Sequence, residues 1–96
     1  MIQKSYLKTK NTVKVKFSVK PEFASNVAVL GLNGDWDNAI VLTKKKDGSF
    51  VGEVSLEKES RHEFKYLIDG ELWLNEAEAD SEVENAFGGT NSVLIV

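Results

Sequence analysis

The stretch Phe64-Lys65-Tyr66-Leu67-Ile68-Asp69-Gly70-Glu71-Leu72-Trp73 places a basic side chain, a tight turn and a tryptophan within ten residues. Its first half has a two-residue period, so Phe64, Tyr66 and Ile68 share one face and Glu63, Lys65 and Leu67 the other. The first face reads as core, so Lys65 leaves the core on the opposite side. Asp69-Gly70 supplies the positive φ that a tight hairpin turn needs, and the returning strand carries Trp73 back past that side. A flat aromatic beside a hydrogen-bond donor is the minimum equipment for holding a sugar ring. A second tryptophan, Trp36, sits in Asn33-Gly-Asp-Trp-Asp-Asn38, a loop by composition with no other large apolar residue. A core tryptophan belongs inside an alternating strand, so Trp36 is expected to be exposed, as a ligand or partner would require. Trp73, between Leu72 and Leu74, fits either core or surface.

Other chemistries find less support. The run Asn33-x-Asp35-x-Asp37 begins like a calcium loop. Its sixth position is Asn38 where glycine is required, and its twelfth is Lys44 where glutamate is required. His62 is the only histidine, and its neighbour Glu63 points to the opposite face of the strand. There is no nucleophile elbow. Asp35, Asp37, Asp69 and Asp80 are each explained by turn or loop duty, although glycoside hydrolysis would need two facing carboxylates. Gly88-Gly89 reads as a turn, since no Walker pattern follows it. The chain is therefore expected to be no enzyme, with no cofactor and no metal.

The elements that position these residues read as short strands. Val13-Lys-Val-Lys-Phe-Ser-Val19 alternates cleanly, with Val13, Val15, Phe17 and Val19 inward, and Pro21 ends it. Asn26 to Leu32 is apolar on both faces and reads as a central strand. Ile40–Leu42 is short, and Lys44–Gly48 is a turn. Phe50, Gly52, Val54 and Leu56 line the inward face of a further strand, and Ser92–Val96 closes the sheet. About seven antiparallel strands in 96 residues indicate an all-β, immunoglobulin-like sandwich. Residues 71–87 stay open. Leu72, Glu76, Ala79, Val83 and Phe87 fall at helical spacing, and the alternative is an irregular excursion.

Three motifs then combine: Gly31 followed by Trp36, Phe-Lys-Tyr-x-x-Asp-Gly followed by Trp73, and Asn85-Ala-Phe-Gly-Gly-Thr-Asn-Ser-Val-Leu. In order and spacing they resemble the glycogen-binding module, carbohydrate-binding module family 48. That module is found in the β subunit of AMP-activated protein kinase and as the early-set N-terminal domain of isoamylases and branching enzymes. The opening Tyr6-Leu7-Lys8-Thr9-Lys10 is similar to that of small bacterial proteins made of this domain alone. The resemblance implies an early-set sandwich over 12–96 behind an extension at 1–11, and non-catalytic binding of α-1,4-glucan. It implies that Trp36 and Trp73 stack on glucose rings, that Lys65 and Asn91 bond the hydroxyls, and that Phe87 enters the curve of the glucan. Trp73 falls one residue later than in the kinase module, with Leu72 at the aligned position, and one residue reverses the face in a strand. Its orientation is therefore open.

Composition bounds the rest. The chain is one domain without cysteine, so no disulfide supports it, which fits a reducing cytoplasm. No signal-peptide core and no membrane-length apolar run is present. The net charge of −3 hides an asymmetry: residues 1–20 carry six lysines and no acid, and residues 69–96 seven acids and no base. This reads either as two solvated faces or as a basic edge for an acidic partner. The basic stretch lacks interleaved aromatics, which argues against nucleic acid. The rival to glucan binding is an early-set scaffold that docks a protein, such as a glucan-metabolising enzyme, without binding sugar.

Overall fold

The computed structural model describes residues 1–96. Ten strands follow in chain order: β1 (Ile2–Tyr6), β2 (Thr12–Val19), β3 (Val27–Leu30), β4 (Ile40–Val41), β5 (Thr43–Lys44), β6 (Phe50–Glu57), β7 (Arg61–Ile68), β8 (Leu72–Leu74), β9 (Ser81–Glu84) and β10 (Thr90–Ile95). They form two antiparallel sheets, one ordered β1-β2-β6-β5 and the other β4-β3-β7-β10-β9, with β8 also paired to β7. The first order and the central β3-β7-β10 of the second reproduce the two sheets of a seven-stranded immunoglobulin-like sandwich. The short β4, β8 and β9 are additions to that frame. Residues 71–87 form no helix: β8, a turn and β9 occupy the stretch. The segment 1–11 contributes an edge strand, β1, paired with β2 from Ile2↔Phe17 to Tyr6↔Val13.

Alternation fills the core. Val13, Val15 and Phe17 of β2 meet Phe64, Tyr66 and Ile68 of β7, all buried in one apolar cluster. Phe17 packs edge-on against Phe64 and Tyr66, at centroid distances of 5.4 and 6.4 Å. Edge-to-face contacts bring the positive rim of one ring to the negative face of the next and add to the burial term. Leu30 and Val93 are also buried, yet they point to the outer face of the second sheet and stand outside this cluster. That accounts for the apolar character of both faces of β3.

The two long sides of the sandwich are closed differently. On one, the chain passes from β4 to β5 through Leu42, changing sheet within one residue. A Cβ on Gly52 would lie 2.5 Å from Leu42 Cδ2, so glycine leaves room for this corner. On the other side Lys4 Nζ spans the opening, donating to Asp80 Oδ1 and Oδ2 at 2.9 and 2.8 Å and to the Ile95 carbonyl at 2.7 Å. Part of the charge asymmetry is thus answered within the chain, a basic N-terminal residue meeting an acidic C-terminal one. Beside this bridge Glu76, buried from solvent, accepts the Tyr66 hydroxyl at 2.8 Å and the Met1 ammonium at 2.6 Å, and its N–H donates to Ser92 Oγ.

Candidate functional site

The site is built on the outer face of β7. Strand alternation sends Glu63, Lys65 and Leu67 out of the core. At the end of the strand Asp69 (φ 52°) and Gly70 (φ 71°) both adopt positive φ, the requirement of a type I′ hairpin turn. The Asp69 carboxylate also accepts from the N–H groups of Ser25 and Asn26, which holds the turn to the segment before β3. The register then places Trp73 opposite Leu67. Cross-strand partners share a face, so Trp73 stands on the same side as Lys65, which settles the orientation the sequence left open. Leu72 and Leu74 pair with Ile68 and Tyr66 and point to the other side.

Trp36 reaches the same face from the loop after β3. Gly31 has φ 105°, and a Cβ there would lie 2.4 Å from the Glu63 carbonyl oxygen and 2.6 Å from Trp36 Cζ2. The indole therefore lies directly on the Gly31 backbone, and any side chain would displace it. A 3₁₀ turn at Leu32–Gly34 follows, with Asn33 at φ 58°. The Gly31 N–H donates to the Asp35 carbonyl, and the Asp35 carboxylate accepts from the N–H groups of Asp37 and Asn38 and from Asn38 Nδ2. These bonds, led by the Asn38 side chain, hold the Asp35 carboxyl below the usual range. The calcium-like spacing is thus a self-capped loop whose product is the pose of Trp36. Its ring meets Trp73 edge-on, with centroids 6.4 Å apart. Both indoles are substantially exposed, 39% for Trp36 and 46% for Trp73.

The third contribution comes from the segment between β9 and β10. Asn85 Oδ1 accepts from the N–H groups of Phe87 and Gly89, closing a compact loop that leaves Phe87 94% exposed. Asn85 Nδ2 donates to Asn91 Oδ1, and Asn91 Nδ2 donates to Glu63 Oε1 at 3.2 Å. This chain fixes which way the Asn91 amide faces and leaves one of its N–H groups unspent. Lys65 Nζ donates to the Thr90 carbonyl at 2.8 Å, which anchors the ammonium at the start of β10 with two N–H groups still available. Asn75 Nδ2 reaches the same carbonyl and thereby joins the end of β8 to β10.

Trp36, Lys65, Trp73, Phe87 and Asn91, the five residues expected from the sequence, line one cleft of about 770 Å³. Five further residues line it, Glu63, Glu84, Asn85, Ala86 and Gly89, of which the first three bring polar side chains. Glu63 was within reach of the sequence, because the period that exposes Lys65 exposes its neighbour two positions earlier. Asn85 gave only the weaker signal of an asparagine before a Gly-Gly turn. The Glu63 carboxyl is held below its ordinary range by the hydrogen bonds from Asn91 and Arg61. Toward the cleft it therefore presents an ionised hydrogen-bond acceptor. The cleft offers two apolar plates, a free aromatic at its rim, an ammonium, an oriented amide and a carboxylate. That set suits a neutral polyol with flat C–H faces and a perimeter of hydroxyls.

The sequence model of the family described as the glycogen recognition site of AMP-activated protein kinase matches residues 10–96. No curated protein matches the chain.

Proposed function

The chain belongs to the family of the glycogen recognition site of AMP-activated protein kinase, and from that premise we propose that it binds α-1,4-glucan (glycogen, starch or maltodextrin) without catalysis. One observation carries the reading: Trp36, Trp73, Lys65, Asn91 and Phe87 come from three separate segments of the chain and open onto one cleft. In this reading the indoles stack on the C–H faces of glucose rings. The Lys65 ammonium and the Asn91 amide donate to hydroxyl oxygens, the Glu63 carboxylate accepts from a hydroxyl, and Phe87 fills the curl of the glucan. Each stack removes roughly 60–100 Å² of apolar surface, worth about 1.5–2.5 kcal/mol. Ordering a flexible oligosaccharide offsets part of this, so the dissociation constant falls between about ten micromolar and millimolar. Such affinity becomes useful when multiplied over a polymer with many sites.

Titration with maltoheptaose, followed by the fluorescence of the two tryptophans, tests the reading. A saturable change with a submillimolar midpoint supports it. An unchanged spectrum at ten millimolar sugar would overturn it and favour the scaffold that docks a protein without binding sugar.

A further inference from the structure

His62 lies beneath the site and takes no part in the cleft. It points inward from β7, opposite Leu94 of β10, and is 6% exposed. Both ring nitrogens are engaged. Nδ1 accepts the N–H of Asn33 at 3.0 Å, and Nε2 lies 2.8 Å from Ser60 Oγ. The Ser60 hydroxyl donates to the Glu57 carbonyl, so toward the ring its oxygen can only accept. The ring is therefore neutral, with its proton on Nε2 and its lone pair on Nδ1 aimed at the backbone of the Trp36 loop. Asn33 is the left-handed residue at the centre of that loop, two positions beyond the glycine on which the Trp36 indole rests.

We infer that neutral His62 is a positioning residue for the sugar site, holding the Trp36 loop through Asn33 and releasing it when Nδ1 takes up a proton. The inference rests on the glucan reading for its functional consequence and on geometry alone for the coupling. A protonated ring has two donors and no acceptor, so Nδ1–H would face Asn33 N–H and the bond would be replaced by repulsion. The charged groups around the ring do not compensate. Arg61 and Glu63 alternate to the opposite face of β7. Glu57 at the end of β6 and Glu59 in the turn that follows are exposed, Lys58 is bonded to the Leu7 carbonyl, and Asp35 is occupied by Asp37 and Asn38. Burial alone pushes the imidazole below its ordinary value, so the change falls on the acid side of pH 6.5. His62 is the only histidine, hence the one side chain whose ordinary pKa lies between pH 5 and 8.

Two substitutions separate positioning from bulk structure. His62→Asn puts a carbonyl oxygen near the place of Nδ1 and cannot titrate. His62→Gln reaches the place of Nε2 and leaves Asn33 N–H without an acceptor. Maltoheptaose affinity at pH 7.5 is expected to stay within about twofold of wild type for the asparagine variant and to fall about fivefold to tenfold for the glutamine variant, the effect of one buried backbone bond. The wild type should lose a similar factor between pH 7.5 and 5, whereas His62→Asn should not. Independently of sugar, NMR of the wild-type protein should show the Asn33 amide and the Trp36 indole N–H shifting with the midpoint of the His62 ring. Equal affinities of the two variants, an Asn33 amide indifferent to the ring's titration, or a ring neutral down to pH 4.5 would each overturn the inference. Failure of the wild type to bind maltoheptaose at pH 7.5 would instead sink the glucan reading, and the amide titration would still judge the coupling.

Discussion

Glu63 and Glu76 are both carboxylates tied to the same sheet, yet their surroundings make them opposites. Glu63 stands at the rim of the cleft, bonded to Asn91 and Arg61, with an exposed path to any ligand. Glu76 is buried on the open side of the sandwich, where the Met1 ammonium, the Tyr66 hydroxyl and the Glu78 N–H converge on it. Burial by itself would raise the Glu76 carboxyl, but those bonds outweigh it and leave the group below its ordinary range. The same burial and the bond to Glu76 push the Tyr66 phenol well upward. The difference teaches how a small domain without disulfides divides its polar chemistry. Groups that are fully satisfied inside hold the sheets together, and groups left partly satisfied outside remain available for binding. Substitutions on the two sides should therefore separate stability from affinity.

The largest effect is expected at the buried side. Glu76→Ala leaves the Tyr66 hydroxyl without its acceptor inside the core and should cost about 2–4 kcal/mol of unfolding free energy. Urea denaturation checks this, and the maltoheptaose affinity of the folded fraction should not move. The pH dependence has a definite sign. A carboxyl lowered in the folded state binds fewer protons there than in the unfolded chain, so stability rises with pH across that window. Its contribution is complete above the unfolded value of about 4.3 and is lost as pH falls through the lowered folded value. Glu76→Gln should flatten this acid limb. A variant as acid-sensitive as wild type would show that other carboxylates govern it.

The reverse pattern is expected at Trp36. Its alanine variant should lose retention on a glycogen or amylose matrix, with affinity for maltoheptaose down tenfold to about a hundredfold, the worth of one stacking face. The indole rests on a loop and not in the core cluster, so the stability change should stay under about 1 kcal/mol. A cooperative collapse of the fold would break the division between the two sides.

The same division explains what could be read from the chain. Alternation over Val13–Val19 and Phe64–Ile68 marked two long strands and their core faces, because period two is a local signal. The Asp69-Gly70 turn was legible for the same reason, as were the exposure of Trp36 and the outward course of Lys65. β1 was not legible, since its inward positions include Lys4, whose partner Asp80 lies at the other end of the chain. β8 is three apolar residues with no alternation and could be expected only as the return of the Asp69-Gly70 hairpin, while β9 is mostly exposed and carries no strand pattern. The Glu76 hub joins Met1, Tyr66 and Ser92, and nothing in the neighbourhood of residue 76 announces those contacts. Helical spacing there was coincidental, and cross-sheet bonding overrode it.

Lys65 tests the boundary between the two regions, because it serves both. One N–H holds the Thr90 carbonyl at the start of β10, and the others face the cleft. Lys65→Ala should weaken maltoheptaose binding about tenfold, in line with a charge-assisted bond to a hydroxyl. Affinity of the wild type should be nearly constant from 50 to 300 mM salt, since a neutral ligand releases no screened ion pair. A steep fall over that range, measured by the same fluorescence titration, would point to an anionic ligand.

The smallest effect, and the most selective, is expected at Phe87. Stacking on Trp36 and Trp73 does not by itself distinguish α-1,4- from β-1,4-linked glucose, because both chains present similar C–H faces. Discrimination has to come from contact points that do not lie in line. The cleft has three: the Trp36 loop, the β7–β8 hairpin with Lys65 and Trp73, and the Asn85–Asn91 loop with Phe87 at its tip. A curled α-glucan can touch all three, whereas a straight β-linked chain leaves one empty. Phe87 is almost wholly exposed on a loop closed by Asn85, so alanine there should leave the fold intact. Covering roughly 40 Å² of its ring inside a closed sugar would contribute about 1 kcal/mol, a factor of about five. Wild type should therefore bind β-cyclodextrin more tightly than maltose and show no measurable affinity for cellohexaose. Phe87→Ala should lose the cyclodextrin advantage while its affinity for maltose stays unchanged. Calorimetric titration of the three sugars into both proteins measures this, and equal affinity of wild type for cellohexaose and maltohexaose would defeat the curved-site reading even with both tryptophans in contact with sugar.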